Sequence, residues 1–195
     1  KAFGKHIAYT VDGGGLGILN YENFNAATAT VTVNGNGIHP GHAKYKMKNA
    51  VMMAVEFIGL LPKHETPAAT EGYEGYYHVS DILGGTDTCT MTCSIRDFDR
   101  EGYEYRKNHV CEIAEFLNGY YGKESFKVEM EDYYLNMREK IAEFPEILDA
   151  AREAMKRAEI RPVEKPIRGG TDGVTISYMG IPCPNIFSGC HNGEN

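Results

Sequence analysis

At 195 residues the chain has room for one large domain or two small ones. Hydrophobic residues at 42% and charged residues at 24% sit near globular averages, which excludes a disordered chain, and no apolar run approaches the roughly 18 to 20 residues of a membrane helix. A net charge of −7 argues against nucleic-acid binding, because phosphate contacts need clustered Lys and Arg.

The first predicted element is a strand over residues 7–11 that ends at Asp12, ahead of Gly13-Gly14-Gly15. Ala27-Thr28-Ala29-Thr30-Val31-Thr32-Val33 then alternates small or apolar residues with Thr, the period of a half-buried strand. Asn34-Gly35-Asn36-Gly37 breaks it with residues that tolerate left-handed backbone. After Pro40, the positions Ala43, Met47, Ala50, Val51, Ala54, Val55 and Ile58 follow helical spacing until Pro62 and Pro67 end the run. Residues 73–82 read as a second strand, with residues 83–87 as a hairpin connection.

Cys89, Met91, Cys93 and Ile95 alternate with Thr88, Thr90, Thr92 and Ser94 in a third strand. Tyr103, Val110, Ile113, Ala114 and Leu117 outline a second helix, which Asn118-Gly119 is expected to stop. Phe126, Val128 and Met130 mark a fourth strand. The order β-α-β-β-α-β over residues 24–133 predicts a ferredoxin-like α/β domain, a four-stranded antiparallel sheet with two helices on one face. The flanks, residues 1–23 and 134–195, predict parts of a second, incomplete α/β domain. They hold a helix with Pro145 in its first turn and Leu148, Ala151, Met155 and Ala158 on one face, then short apolar pieces at 174–179 and 186–187.

Cys89, Cys93, Cys111, Cys183 and Cys190 are odd in number and have no CxxC spacing, so they read as reduced core cysteines of a cytoplasmic protein. Asp12, at the carboxyl end of a strand, suits a metal ion, and equally suits a turn capped by its own side chain. His39, before Pro40-Gly41, could donate to a developing oxyanion or be a plain loop histidine. His6, His64, His78, His109 and His191 lack a paired ligand spacing. Arg96 and Arg168 suit bidentate capture of a carboxylate, or ion pairs with Asp97 and Asp172. Asp172 is a candidate to orient Arg168 or its glycine-rich loop. The glycine-rich turns match no nucleotide-binding fingerprint.

Several stretches in order along the chain resemble the peptidase T family of the two-zinc exopeptidase and aminoacylase superfamily. They include Ala8-Tyr-Thr-Val-Asp12-Gly-Gly-Gly15, Glu22-Asn-Phe-Asn-Ala-Ala27, His39-Pro-Gly41, Ile95-Arg-Asp-Phe-Asp-Arg100, Pro166-Ile-Arg-Gly-Gly-Thr-Asp-Gly173 and Pro182-Cys-Pro-Asn185. The resemblance implies an α/β catalytic domain with two zinc ions and an inserted ferredoxin-like lid through which the protein forms a homodimer. It implies release of the N-terminal residue from tripeptides, Asp12 as a zinc ligand, and His39 as the lid's oxyanion donor, in its own subunit or across the dimer. It also implies Arg96, Arg168 and Asp172 around the substrate. The family's other metal ligands and its general-base Glu have no counterpart in this sequence, so the chain is expected to be a fragment that is inactive alone. Competing expectations are a dimerisation module without catalysis and a related hydrolase of dipeptides or acylamino acids.

Overall fold

The computed structural model describes residues 7–189; His6, Cys190 and His191 lie outside them. The elements in chain order are β1 (Thr10–Val11), β2 (Ile18–Asn20), β3 (Asn25–Asn34), α1 (Ala50–Leu60), β4 (Tyr76–Gly84), β5 (Thr88–Asp97), α2 (Arg100–Tyr121) and β6 (Phe126–Tyr134). They continue with α3 (Arg138–Ile141), α4 (Pro145–Arg157), β7 (Val163–Glu164), α5 (Asp172–Tyr178) and β8 (Asn185–Ile186). The chain divides into two compact units, one of residues 1–25 with 134–195 and one of residues 26–133.

The unit of residues 26–133 carries a sheet ordered β4-β5-β3-β6. Its third strand, β5, lies between its second and first, which is the ferredoxin-like arrangement. The alternation read from the sequence survives in the burial. Ala29, Val31 and Val33 of β3 and Cys89, Met91, Cys93 and Ile95 of β5 are all buried, as are Phe57 of α1 and Leu117 of α2. Each large side chain so buried contributes about 1.5–3 kcal/mol, so this face holds the unit together.

Two expectations need correction here. The helix expected from Ala43 starts only at Ala50, where the Asn49 carboxamide accepts from Val51 N–H and Met52 N–H. Ala43 and Met47 lie in turns instead, where Asn36 and Lys48 exchange backbone hydrogen bonds and Tyr45 has a φ of 61°. α2 passes through Asn118-Gly119 and ends at Gly122, whose φ is 109°. Asn118 is used differently: its side chain accepts from Phe126 N–H (2.8 Å) and donates to Phe126 O (2.9 Å), joining α2 to β6.

The other unit has a mixed sheet ordered β1-β8-β2-β7. β1 pairs with β8 in parallel, β2 with β8 antiparallel, and β2 with β7 in parallel. Leu19 of β2 packs with Met137, Ile141, Ile147, Leu148, Ala151, Met155 and Val174 in one core. Pro145 opens α4 as expected, but Ala158 caps the end of that helix and is exposed. The stretch 174–179, expected only as a short apolar piece, falls in helix α5, which starts earlier at Asp172 and is capped by Met179. β2 and β7 are two or three residues long, too short to show a period, and pairing alone makes them strands.

Candidate active site

Two loops of this second sheet enclose a cleft of about 680 Å³, lined by Asp12, Gly13, Gly14, Gly15, Asn20, Lys165, Arg168 and Asn185 among others. The first loop leaves β1 at Asp12, whose N–H donates to Ile186 O at 3.2 Å. It then reverses through Gly13 (φ 55°) and Gly14 (φ 75°), in the left-handed region that favours glycine. Ser188 N–H holds the reversal by donating to Gly13 O at 2.8 Å. The second loop follows β7 and carries Arg168-Gly169-Gly170. A Cβ on Gly170 would lie 2.9 Å from the Tyr134 ring, so a larger residue there would push that ring aside.

Asp12 and Arg168, 156 positions apart in sequence, thus line one cleft. The Asp12 side chain is exposed. The Arg168 guanidinium stands 5.0 Å over the ring of Phe24, which is fully buried. A cation over a fixed aromatic floor is attracted by the ring's quadrupole, which favours this orientation. Asp172 is the exposed first residue of α5, four positions after Arg168.

Sequence reasoning missed the groups beneath the cleft. Asn185 is 2% exposed. Its Oδ1 accepts from Thr10 Oγ1 (2.8 Å), and its Nδ2 donates to Asp12 O (2.7 Å) and Asn20 Oδ1 (3.2 Å). Asn20 Nδ2 in turn donates to Lys165 O (2.7 Å). The two asparagines therefore tie the Asp12 rim to the rim that leads to Arg168. Asn185 stood in the Pro182-Cys-Pro-Asn185 stretch, but its partners lie 165 to 175 positions away and no spacing could reveal them.

His39 and Arg96 belong to the other unit. His39 is exposed, and its Nδ1 accepts from Gly41 N–H at 3.2 Å. That bond requires Nδ1 to be unprotonated, so in the neutral ring the proton sits on Nε2, which is a donor. Arg96 is half-buried on β5, and its Nη1 donates to Ala27 O (3.0 Å) and Ile95 O (2.9 Å). The expected partner Asp97 is paired instead with Arg106, because consecutive strand residues point to opposite faces.

Among the described residues no three His, Cys, Asp or Glu side chains come together as a metal site. Asp12 offers one carboxylate where zinc needs three or four protein donors, so these residues by themselves do not fit the ion. A further concavity of about 500 Å³ along α4, lined by Tyr9, Met155 and Phe187, is almost wholly apolar and lacks groups for chemistry. Cys89, Cys93, Cys111 and Cys183 are free thiols; Cys111 is exposed on α2 rather than in the core as expected, and burial pushes the Cys93 thiol up to about 11, so it stays protonated at neutral pH. No helix of the described residues is long and apolar enough to cross a membrane.

The family model that matches, described as the peptidase dimerisation domain, covers residues 21–125. Peptidase T of Bacillus licheniformis is 53% identical over 195 residues, spanning 100% of this chain and 47% of the relative. Peptidase T of Desulfitobacterium hafniense is 51% identical over 190 residues, spanning 97% of this chain and 46% of the relative. The chain thus spans about half the length of the curated relatives it matches. An aminopeptidase from Bacillus cereus superposes with a TM-score of 0.81 at 20% identity, over 95% of this chain and 49% of that one. A tripeptidase from Staphylococcus aureus gives 0.82 at 18% identity, over 96% and 50%. At such identities the two structures speak for the fold, and the dimerisation-domain match speaks for descent: the chain belongs to the peptidase dimerisation domain family, and peptidase T sequences resemble it along its whole length.

Proposed function

We propose that this chain supplies the lid and one portion of the catalytic unit of a zinc-dependent tripeptide aminopeptidase, which releases the N-terminal residue. The observation that carries this reading is the identity of 53% with a peptidase T along every residue of the chain. The cleft that joins Asp12 to Arg168 supports it, since it sets a carboxylate and a guanidinium on facing loops. Residues 24–133 are the lid and dimerisation domain in this reading, and residues 1–23 and 134–195 belong to the catalytic domain.

The chain's own groups bind and orient. Arg168 and Arg96 take the carboxylate of the peptide, with the planar fork that matches its two oxygens. Asp172 steadies the glycine-rich loop, and His39 donates from Nε2–H to the oxyanion, within its own subunit or from a partner copy. Zinc is proposed for the full-length polypeptide, with Asp12 giving one of the donors. The family match supports a homodimer, and β4 at the sheet edge presents Ile82 and Leu83 to solvent. Free, largely buried thiols support a cytoplasmic setting.

The test is tripeptide hydrolysis by the full-length polypeptide with zinc, beside its Asp12→Ala variant. Release of the N-terminal residue that the variant loses is the expected result. No turnover of any tripeptide, or full activity in the variant, overturns the reading.

A further inference from the structure

The alternation of β5 sends Cys89, Met91, Cys93, Ile95 and Asp97 to the face covered by α1 and α2. Asp97 therefore places a carboxylate where the pattern calls for an apolar side chain, and it is only 6% exposed. Two glycines make room for it: a Cβ on Gly75 or on Gly102 would lie 2.6 Å from its Oδ2. Its Oδ1 accepts from Asp99 N–H (2.9 Å), and its Oδ2 accepts from Arg106 Nη1 (2.5 Å). Arg106 reaches Glu65 Oε2 through Nη2 (2.8 Å), and Glu65 O accepts from Tyr77 N–H (2.9 Å). One guanidinium on α2 thus joins the end of β5 to the segment that enters β4.

As a device for stability alone, this arrangement is poor. Desolvating two charges offsets most of their attraction, and apolar replacements of similar volume are often neutral or better. Burial pushes the Asp97 carboxyl up despite the opposing pull of Asp99 N–H and Arg106, so desolvation outweighs what the partners return. What the pair does fix is direction. Arg96 is the adjacent strand residue, so its side chain leaves β5 on the opposite face, where it meets Ala27 O of β3.

We propose that Asp97 and Arg106 are positioning residues, which anchor the end of β5 on the helix face and so set how Arg96 presents its guanidinium to a peptide carboxylate. Glu65 is the third member, because it fixes the direction of the Arg106 fork. The proposal rests on the assignment of Arg96 to the substrate carboxylate given above.

The experiment uses the full-length polypeptide and two substrates, one tripeptide with a free C-terminal carboxylate and the same tripeptide as its C-terminal amide. Kinetics and thermal unfolding are measured for the parent and for Arg96→Gln, Asp97→Asn, Arg106→Lys and Glu65→Gln. Arg96→Gln is expected to collapse the acid-to-amide ratio of kcat/KM by on the order of tenfold or more. Asp97→Asn and Arg106→Lys are expected to lower it by on the order of tenfold through KM for the acid, with amide turnover within about twofold. Glu65→Gln touches a half-exposed side chain and gives a smaller shift in the same direction, which keeps the test alive if the Asp97 variant fails to fold. Equal losses on acid and amide, or a lowered unfolding temperature with the ratio unchanged, overturn the proposal and leave the pair structural. If Arg96→Gln leaves the ratio intact, the Arg96 assignment falls and the positioning role with it. If only Arg96→Gln collapses the ratio, the assignment stands and the positioning role alone fails.

Discussion

Replacing Asn185 with Ala removes three hydrogen bonds from a side chain that is 2% exposed. At about 1 kcal/mol for each neutral bond, the direct loss is about 3 kcal/mol. Leaving Asn20 Oδ1 and Asp12 O without that donor adds desolvation cost, while the cleft beside Asn185 can admit water that returns part of it. The expected net effect is therefore about 2–3 kcal/mol, read as a lowered urea midpoint with an unchanged m-value. Asn185→Asp separates the terms. It keeps the bond accepted from Thr10 Oγ1, loses both donated bonds, and sets a carboxylate against two carbonyl oxygens. That variant is expected to be less stable than Asn185→Ala at neutral pH. Its buried, raised carboxyl pKa makes the deficit shrink as the pH falls and the group becomes a donor again. A loss below about 0.5 kcal/mol for Asn185→Ala, the level of a surface substitution, would refute the view that this side chain ties the cleft together.

Gly173→Ala drives a Cβ to within 2.4 Å of Cys183 O and 3.1 Å of Thr10 Oγ1. A backbone carbonyl cannot swing aside, so a loss of about 1–3 kcal/mol is expected in urea unfolding, and an unchanged midpoint would mean that α5 shifts freely. The Arg152 Nε to Glu164 Oε1 bond (2.7 Å) holds the Glu164 carboxyl below its ordinary value. Its contribution is present above that ordinary value and lost as pH falls through the lowered one, so the stability gap between parent and Glu164→Gln should close on acidification. A gap that stays constant into the acid range contradicts this sign. Leu83, 81% exposed on edge strand β4, and Met52, 62% exposed on α1, are candidates for contact between copies. Leu83→Asp with Met52→Asp is expected to turn a dimer into a monomer in sedimentation, and an unchanged dimer mass places the contact elsewhere.

The ferredoxin-like unit was legible in the sequence because its strands run nine or ten residues and the two central ones, β3 and β5, bury one face. A period of two over that length leaves little choice of register or partner face. Helix ends were less legible, since they turn on single side chains: Asn49 caps α1 late, and Asn118 is spent on Phe126 rather than on a stop. Charged and glycine-flanked residues such as Asp12 and Arg168 announced themselves locally. The sequence by itself determined the β-α-β-β-α-β order over residues 24–133 and the buried faces of β3 and β5. Only the tertiary structure decided that Asp12 and Arg168 line one cleft, that Asn185 and Asn20 hold its rims, and that Asp97 turns to Arg106 rather than to Arg96. The physical reason is range. Periodicity and capping act within a few residues, whereas a parallel pairing of β1 with β8 joins positions about 175 apart and leaves no trace in spacing.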